Sequence, residues 1–179
     1  MNRSFDNEDD TRRDFLVLTT GAIATAGVGV AAWPFISSLN PAADVLATST
    51  IDVDLEPIEL GQRITVVWRS KPVFIDHRTA ERIALAKADD NNPNLIDPAI
   101  DSDRVLREEW LIVIGICTHL GCIPLGQRPS DPRGEWVGWY CPCHGSQYDT
   151  SGRVRRRPAP RNLDLLPYRF LSDTLVRLG

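Results

Sequence analysis

Cys117-Thr118-His119-Leu120-Gly121-Cys122 and Cys141-Pro142-Cys143-His144-Gly145-Ser146 are the two stretches on which the reading of this chain turns. Each offers a thiol and an imidazole within a few residues of each other, at the end of an apolar run. Trp110-Leu111-Ile112-Val113-Ile114 leads into the first, and residues 136–140 lead into the second. All four cysteines and two of the three histidines fall within this region, which marks a single chemical site. A zinc finger usually sets its His pair on one helix and its Cys pair on a turn. Here each loop can contribute one thiolate and one imidazole, the mixture needed by a pair of irons with two Cys on one and two His on the other. Cys117 and His119 stand two apart, and Cys141 and His144 three apart, so two loops side by side could pinch a cluster between them. Gly121 and Gly145 let the backbone turn tightly near the sulfurs and offer N–H groups there. Cys122 and Cys143 are left over, and in an oxidising compartment two spare cysteines on facing loops would pair and clamp the loops. Two other readings stay open, four Cys ligands with spectator histidines and a structural zinc site. His77 reads as an ordinary surface or core histidine.

Working outward, the segment from residue 50 has the period of strands. Ile51, Val53 and Leu55 alternate with Asp52, Asp54 and Glu56, and residues 63–68 and 71–75 follow as β-rich runs. Residues 79–88 read as a short helix with Thr79 as its N-cap and Glu81 and Arg82 in the first turn. Residues 89–103, acidic and interrupted by Pro93 and Pro98, read as a solvated surface insertion without a role. Residues 163–176 supply two more short strands. The expected domain is therefore mainly β over 50–179, with a cluster-binding subdomain at about 114–160.

The N-terminal third is different. Residues 1–10 are polar and acidic, a composition expected to be disordered. Arg12-Arg13 before Phe15 and Leu16 reads as a twin-arginine export signal at the end of a cytoplasmic tail over 1–14, or more blandly as a basic flank. Residues 15–36 carry no charge. As a helix they would extend about 33 Å, close to a bilayer core of about 30 Å. That is longer than the usual apolar region of a cleaved signal, so they read as a single transmembrane anchor. A cleaved signal remains the alternative, since Ala22-Ile23-Ala24 and Ala24-Thr25-Ala26 resemble cleavage sites. The run is rich in Gly and Ala, which favours close packing on partner helices in a membrane complex. Residues 37–49, broken by Asn40-Pro41, read as a flexible hinge or a short helix extension. Arg12 and Arg13 would keep the N-terminus in the cytoplasm and send the remainder across the inner membrane to the periplasm. The chain has 179 residues and a net charge of −4, which speaks against a nucleic-acid surface.

CTHLGC and CPCHGSQYD resemble the two cluster-binding boxes of Rieske proteins, and specifically those of the iron–sulfur subunit of bacterial ubiquinol:cytochrome c oxidoreductase. The resemblance covers nearly the whole chain. It implies a Rieske-type antiparallel β sandwich with a small cluster-binding subdomain, preceded by one transmembrane helix. It also implies one 2Fe-2S cluster, with Cys117 and Cys141 on the inner iron and His119 and His144 on the outer, exposed iron, and a Cys122–Cys143 disulfide. Ser146 and Tyr148 match residues whose hydroxyls hydrogen-bond to cluster or cysteine sulfur. Such donors stabilise the more negative reduced state and raise the potential. His144 matches the residue that contacts quinol, and Leu120 lies at the docking tip. Residues 151–160 resemble the family's proline loop, which covers the cluster and contains Pro158, although Arg157 stands where the family usually has Gly. The resemblance further implies cytochrome b, cytochrome c1 and ubiquinol as partners, and the transfer of one electron and one proton from quinol. A Rieske subunit of another exported enzyme, such as arsenite oxidase, is the nearest alternative.

Overall fold

A computed structural model of the chain describes residues 7–40 and 49–179. Contacts divide the chain into two compact units. Most of the hinge read at 37–49 lies outside the described residues. The first unit is helix α1, Asn7–Ser37. It begins inside the acidic segment expected to be disordered, because nothing in residues 7–10 breaks a helix and the apolar run that follows extends it. Thr19 and Thr25 turn their hydroxyls back to the carbonyls of Phe15 and Gly21, so neither hydroxyl is left unbonded in the apolar run. Ser37 and Ser38 do the same to Pro34 and Phe35 at the C-terminal end. From Thr11 to Ser37 the helix is long and apolar enough to cross a membrane, and Phe15, Leu18, Ile23, Val30 and Phe35 stand exposed around it.

The second unit is built from three antiparallel sheets of three strands each. Strand β1 (Ile51–Asp54) pairs with β9 (Leu175–Leu178), which pairs with β8 (Tyr168–Phe170). Strands β2 (Arg63–Trp68), β3 (Lys71–His77) and β4 (Trp110–Ile114) form the second sheet. Strands β5 (Val137–Tyr140), β6 (Gln147–Asp149) and β7 (Val154–Arg156) form the third. Helix α2 (Ala80–Ala88) follows β3, and Thr79 Oγ1 accepts from the Arg82 N–H at 3.3 Å, the expected cap.

The β2-β3-β4 sheet is the shared layer. Side chains alternate across a strand. Val73, Ile75, Ile112 and Ile114 pack against Val176, Leu178 and Leu166, while Phe74, Leu111 and Val113 face Cys117, Trp139, Tyr148 and Val154. That two-sided cover explains why β4 is buried at every position and why its sequence shows no alternation. His77 is structural, as expected. Its ring stacks on Trp110 at 4.0 Å, and its Nδ1 lies 2.8 Å from the Ile58 carbonyl oxygen.

Two expectations are corrected. Strands β6 and β7 were not anticipated. β6 lies within the second box and β7 inside the segment read as a proline loop, and each is only three residues long, below the length at which periodicity shows. Residues 89–103 are not a solvated insertion. Asp101 is buried and receives both arms of Arg78 at 2.7 and 3.0 Å and the Ser151 hydroxyl at 2.6 Å. Asp90 bonds Arg153, and Asp97 takes the Asn162 N–H. The acidic run is the counter-charge for Arg78, which precedes it in sequence, and for Arg153, which follows it by fifty residues.

Candidate metal centre

Both Cys/His loops have the same backbone. The Cys117 N–H donates to the Cys122 carbonyl at 2.7 Å, and the Gly121 N–H returns to the Cys117 carbonyl at 3.0 Å. In the second loop Cys141 donates to Ser146 at 2.8 Å, and Gly145 returns to Cys141 at 2.9 Å. Gly121 and Gly145 both sit at positive φ, +84° and +81°, the conformation glycine takes at least cost. Their N–H groups are spent on these carbonyls. The two loops thus repeat one backbone form, with side chains distributed differently on it: His is the third residue of the first loop and the fourth of the second.

The two loops are joined by the Cys122–Cys143 disulfide, with Cα atoms 6.8 Å apart. Cys117 and Cys141 are free thiols, each only 2% exposed, and they belong to the apolar cluster around Trp139 and Tyr148. The Cys141 sulfur lies within 4.8 Å of the sulfurs of Cys122 and Cys143. Those two are committed to each other, so they are not available as ligands. Burial pushes the Cys141 thiol up, and the adjacent Cys117 adds to the rise. A thiol pair in that state gains from a cation that would hold it as thiolate. The imidazoles of His119 and His144 meet edge to face with centroids 4.7 Å apart, His144 exposed and His119 half-buried. Two inner thiols and two outer imidazoles are a donor set that fits a mixed-ligand 2Fe-2S cluster.

Tyr148 is fully buried, and its hydroxyl donates to Cys117 Sγ at 3.2 Å while accepting from the Thr118 N–H at 3.2 Å. Burial pushes its pKa well above that of an ordinary phenol, with the Cys117 sulfur acting in the same direction, so it keeps its proton and stays a donor. Ser146 Oγ accepts from the Ala159 N–H at 3.0 Å and so ties the proline loop to the second box. Its own proton remains to be donated. Leu120 is 72% exposed at the tip of the first loop, and Pro158 is exposed on the proline loop.

Sequence reasoning missed Thr118 and Arg63. Thr118 Oγ1 donates to the Arg161 carbonyl at 2.6 Å and thereby ties the first box to the proline loop's far end. Arg63 is buried and pairs with Asp76 at 2.9 Å. Burial pushes it down to about 10, with Asp76 opposing that fall, so it is cationic at neutral pH. A signal for the pair existed. The two-residue turn Arg69-Ser70 sets Trp68 opposite Lys71, and that register carries Arg63 to Asp76.

Residues 54–167 match the Rieske [2Fe-2S] domain family, and residues 3–42 match the family described as ubiquitinol-cytochrome C reductase Fe-S subunit TAT signal. The chain belongs to the Rieske [2Fe-2S] family, whose cofactor is the cluster the four-residue donor set suggests. Its relatives include the ubiquinol-cytochrome c reductase iron-sulfur subunits of Rhodospirillum rubrum and Rickettsia felis. The first is 53% identical, covering 96% of this chain and 93% of that protein; the second is 54% identical, covering 97% and 96%. Within the family its place is that of the electron-transfer subunit of ubiquinol–cytochrome c reductase, and its TAT-signal region with one long apolar helix makes it membrane-associated. A chain of a hyperthermophilic respiratory complex III shares the fold at 21% identity, with a TM-score of 0.50, covering 89% of this chain and 98% of that one. These relatives set aside the arsenite oxidase alternative, and the Rieske match sets aside a zinc module.

Proposed function

We propose that Cys117 and Cys141 hold one iron of the cluster on its buried side, that His119 and His144 hold the other at the surface, and that His144 receives a proton from ubiquinol. The observation that carries this reading is the burial gradient across the donor set, from 2% exposure at each thiol to an open His144 ring. When bound, the cluster supplies a one-electron acceptor. His144 can accept the hydrogen bond of a quinol hydroxyl at the ring nitrogen turned away from the metal, and then hold that proton there. Tyr148 donates its hydroxyl to Cys117 Sγ, and Ser146, whose oxygen accepts from the Ala159 N–H, has its proton left to offer to cluster sulfur. Apolar Leu120, with Pro158, forms the tip that would dock on cytochrome b, and cytochrome c1 would receive the electron. The position of Arg12 and Arg13 before the apolar helix supports an inner-membrane anchor crossing once, with the Rieske domain in the periplasm.

Cys117→Ser, Cys141→Ser, His119→Ala and His144→Ala are each expected to abolish the EPR signal of the reduced cluster and the iron and acid-labile sulfide of the purified chain. Full iron content with the parental signal in any one of them removes that residue from the ligand set.

A further inference from the structure

We propose that Arg63 is a positioning residue that sets the spacing of the two Cys/His loops, and so the geometry at which His119 and His144 present their rings. The inference rests on the reading that these loops hold the cluster between them.

The chain leaves the first loop through Leu125 and Gly126 and enters the second through β5. Leu125 and Tyr140 join the two segments by reciprocal backbone bonds of 2.7 and 2.9 Å. Arg63, on the neighbouring sheet and 5% exposed, reaches across to both segments. Its Nη1 donates to the Gly126 carbonyl at 3.0 Å and to the Gly138 carbonyl at 2.6 Å. Its Nη2 donates to the Val137 carbonyl at 3.2 Å, and its Nε to Asp76 Oδ2 at 2.9 Å. One planar, five-donor group thus binds the exit of one loop and the entrance of the other to a fixed carboxylate.

Two local features show that the backbone is shaped around this guanidinium. Val137 sits at φ +58°, a conformation β-branched residues avoid, and its carbonyl is one of those Arg63 binds. Gly126, at φ +135°, has no room for a side chain. A Cβ there would lie 2.8 Å from the Gly138 oxygen and 3.1 Å from the Trp139 ring. Trp139 itself is fully buried, lies 4.2 Å beneath the guanidinium and stacks on Phe74. A displacement of Arg63 would therefore be transmitted through Trp139 and Tyr140 to Cys141, two residues on. Lysine retains the charge but presents one nitrogen and cannot satisfy four acceptors at these positions.

The test uses the full-length, cluster-loaded chain in membranes and compares Arg63→Lys with Leu178→Ala, which cuts into the opposite core without touching either loop. Arg63→Lys is expected to keep iron and sulfide. It should broaden and shift the EPR g-values, move the midpoint potential and the pH at which that potential begins to fall, and quicken hydrogen exchange at the Leu125 and Tyr140 amides by about tenfold. Leu178→Ala should lower the melting temperature at least as far with parental g-values and potential. Arg63→Lys with parental EPR, potential and exchange, but a lowered melting temperature, overturns the proposal and leaves Arg63 a stabilising residue only. Gly126→Ala covers the case in which Arg63→Lys loses its cluster. It separates the same two segments with Arg63 intact, and a parental spectrum and potential in it would equally overturn the idea. Failure of the ligand reading would be seen separately, as iron retained in Cys141→Ser.

Discussion

The two faces of the β2-β3-β4 sheet are held to their neighbours by different forces. On one face, Val73, Ile75, Ile112 and Ile114 meet Val176, Leu178 and Leu166 in an apolar core. That face is stabilised by removal of apolar area from water, which is non-directional and tolerates small shifts. On the other face, Phe74, Leu111 and Val113 meet a smaller apolar cluster, and around it stands a set of buried charges. Arg153 is fully buried and bonds Asp149 at 2.8 Å, Asp90 at 2.9 Å and the Ala86 carbonyl at 2.6 Å. Arg104 bonds the carbonyls of Ser151 and Leu163, and Asp76 receives both Arg63 and Arg82. Charge-assisted bonds of this kind are directional and costly to misalign. The apolar face gives the domain its cohesion, whereas the polar face fixes atoms to particular positions, which is what two loops that set two thiols beside two imidazoles require.

The largest effect should come from breaking the polar face. Arg153→Met takes from buried Asp149 its 2.8 Å partner, leaving only Arg155 at 3.5 Å, and removes the cation from half-buried Asp90; removing one member of a buried pair costs about 4 kcal/mol. Thermal melting should fall accordingly, and cluster content with it. Leu178→Ala on the opposite face should cost on the order of 3 kcal/mol through the lost side chain and the cavity it leaves, yet spare the cluster's visible spectrum. Equal spectral damage in both variants would erase the distinction between the faces.

Acid should separate the faces as well. Burial pushes the Asp101 carboxyl up, but the bonds from Arg78 and Ser151 outweigh it and hold it below its ordinary range. Asp89 is likewise lowered, burial again opposing and Arg155 and Asn92 prevailing. A carboxyl depressed in the fold contributes stability above its unfolded value, and that contribution is lost as pH falls through the folded one. The cluster side should therefore loosen first as pH drops through and below the ordinary carboxylate range. In Asp101→Asn the acid limb of a melting-temperature curve should flatten; a limb of unchanged slope would show that the loss arises elsewhere.

The smallest change in stability is expected at Tyr148. Tyr148→Phe removes one donor to Cys117 Sγ and one acceptor for Thr118, a loss of about 1 kcal/mol. Its electrochemical effect is the sharper measurement. With a donor to sulfur gone, the reduced state is less favoured and the midpoint potential should fall in a redox titration, as it should in Ser146→Ala. Potentials equal to the parent's would strip both hydroxyls of a tuning role.

The lengths of the signals explain what was legible. The apolar run of 15–36, strand β4 and the hairpin of β2 and β3 are long enough for composition and period to identify them. Strands β6 and β7 are too short for that, and β7 is made of Val154, Arg155 and Arg156, residues with no apolar alternation to read. The acidic segment 89–103 looked solvated because most acidic runs are. Its counter-charges, Arg78 and Arg153, lie on either side of it in sequence, and only folding brings them to Asp101 and Asp90.

By itself, the sequence determined the chemistry available, since thiols and imidazoles at those spacings define a mixed donor set whatever surrounds them. It also determined the apolar helix, because length and absence of charge decide whether a helix can enter lipid. Tertiary structure alone decided which thiols sink and which imidazole stays open, because burial depends on what the other sheets cover. It also decided that a guanidinium more than fifty residues before the first box would grip both loops, since that contact exists only once β2 is packed beneath them.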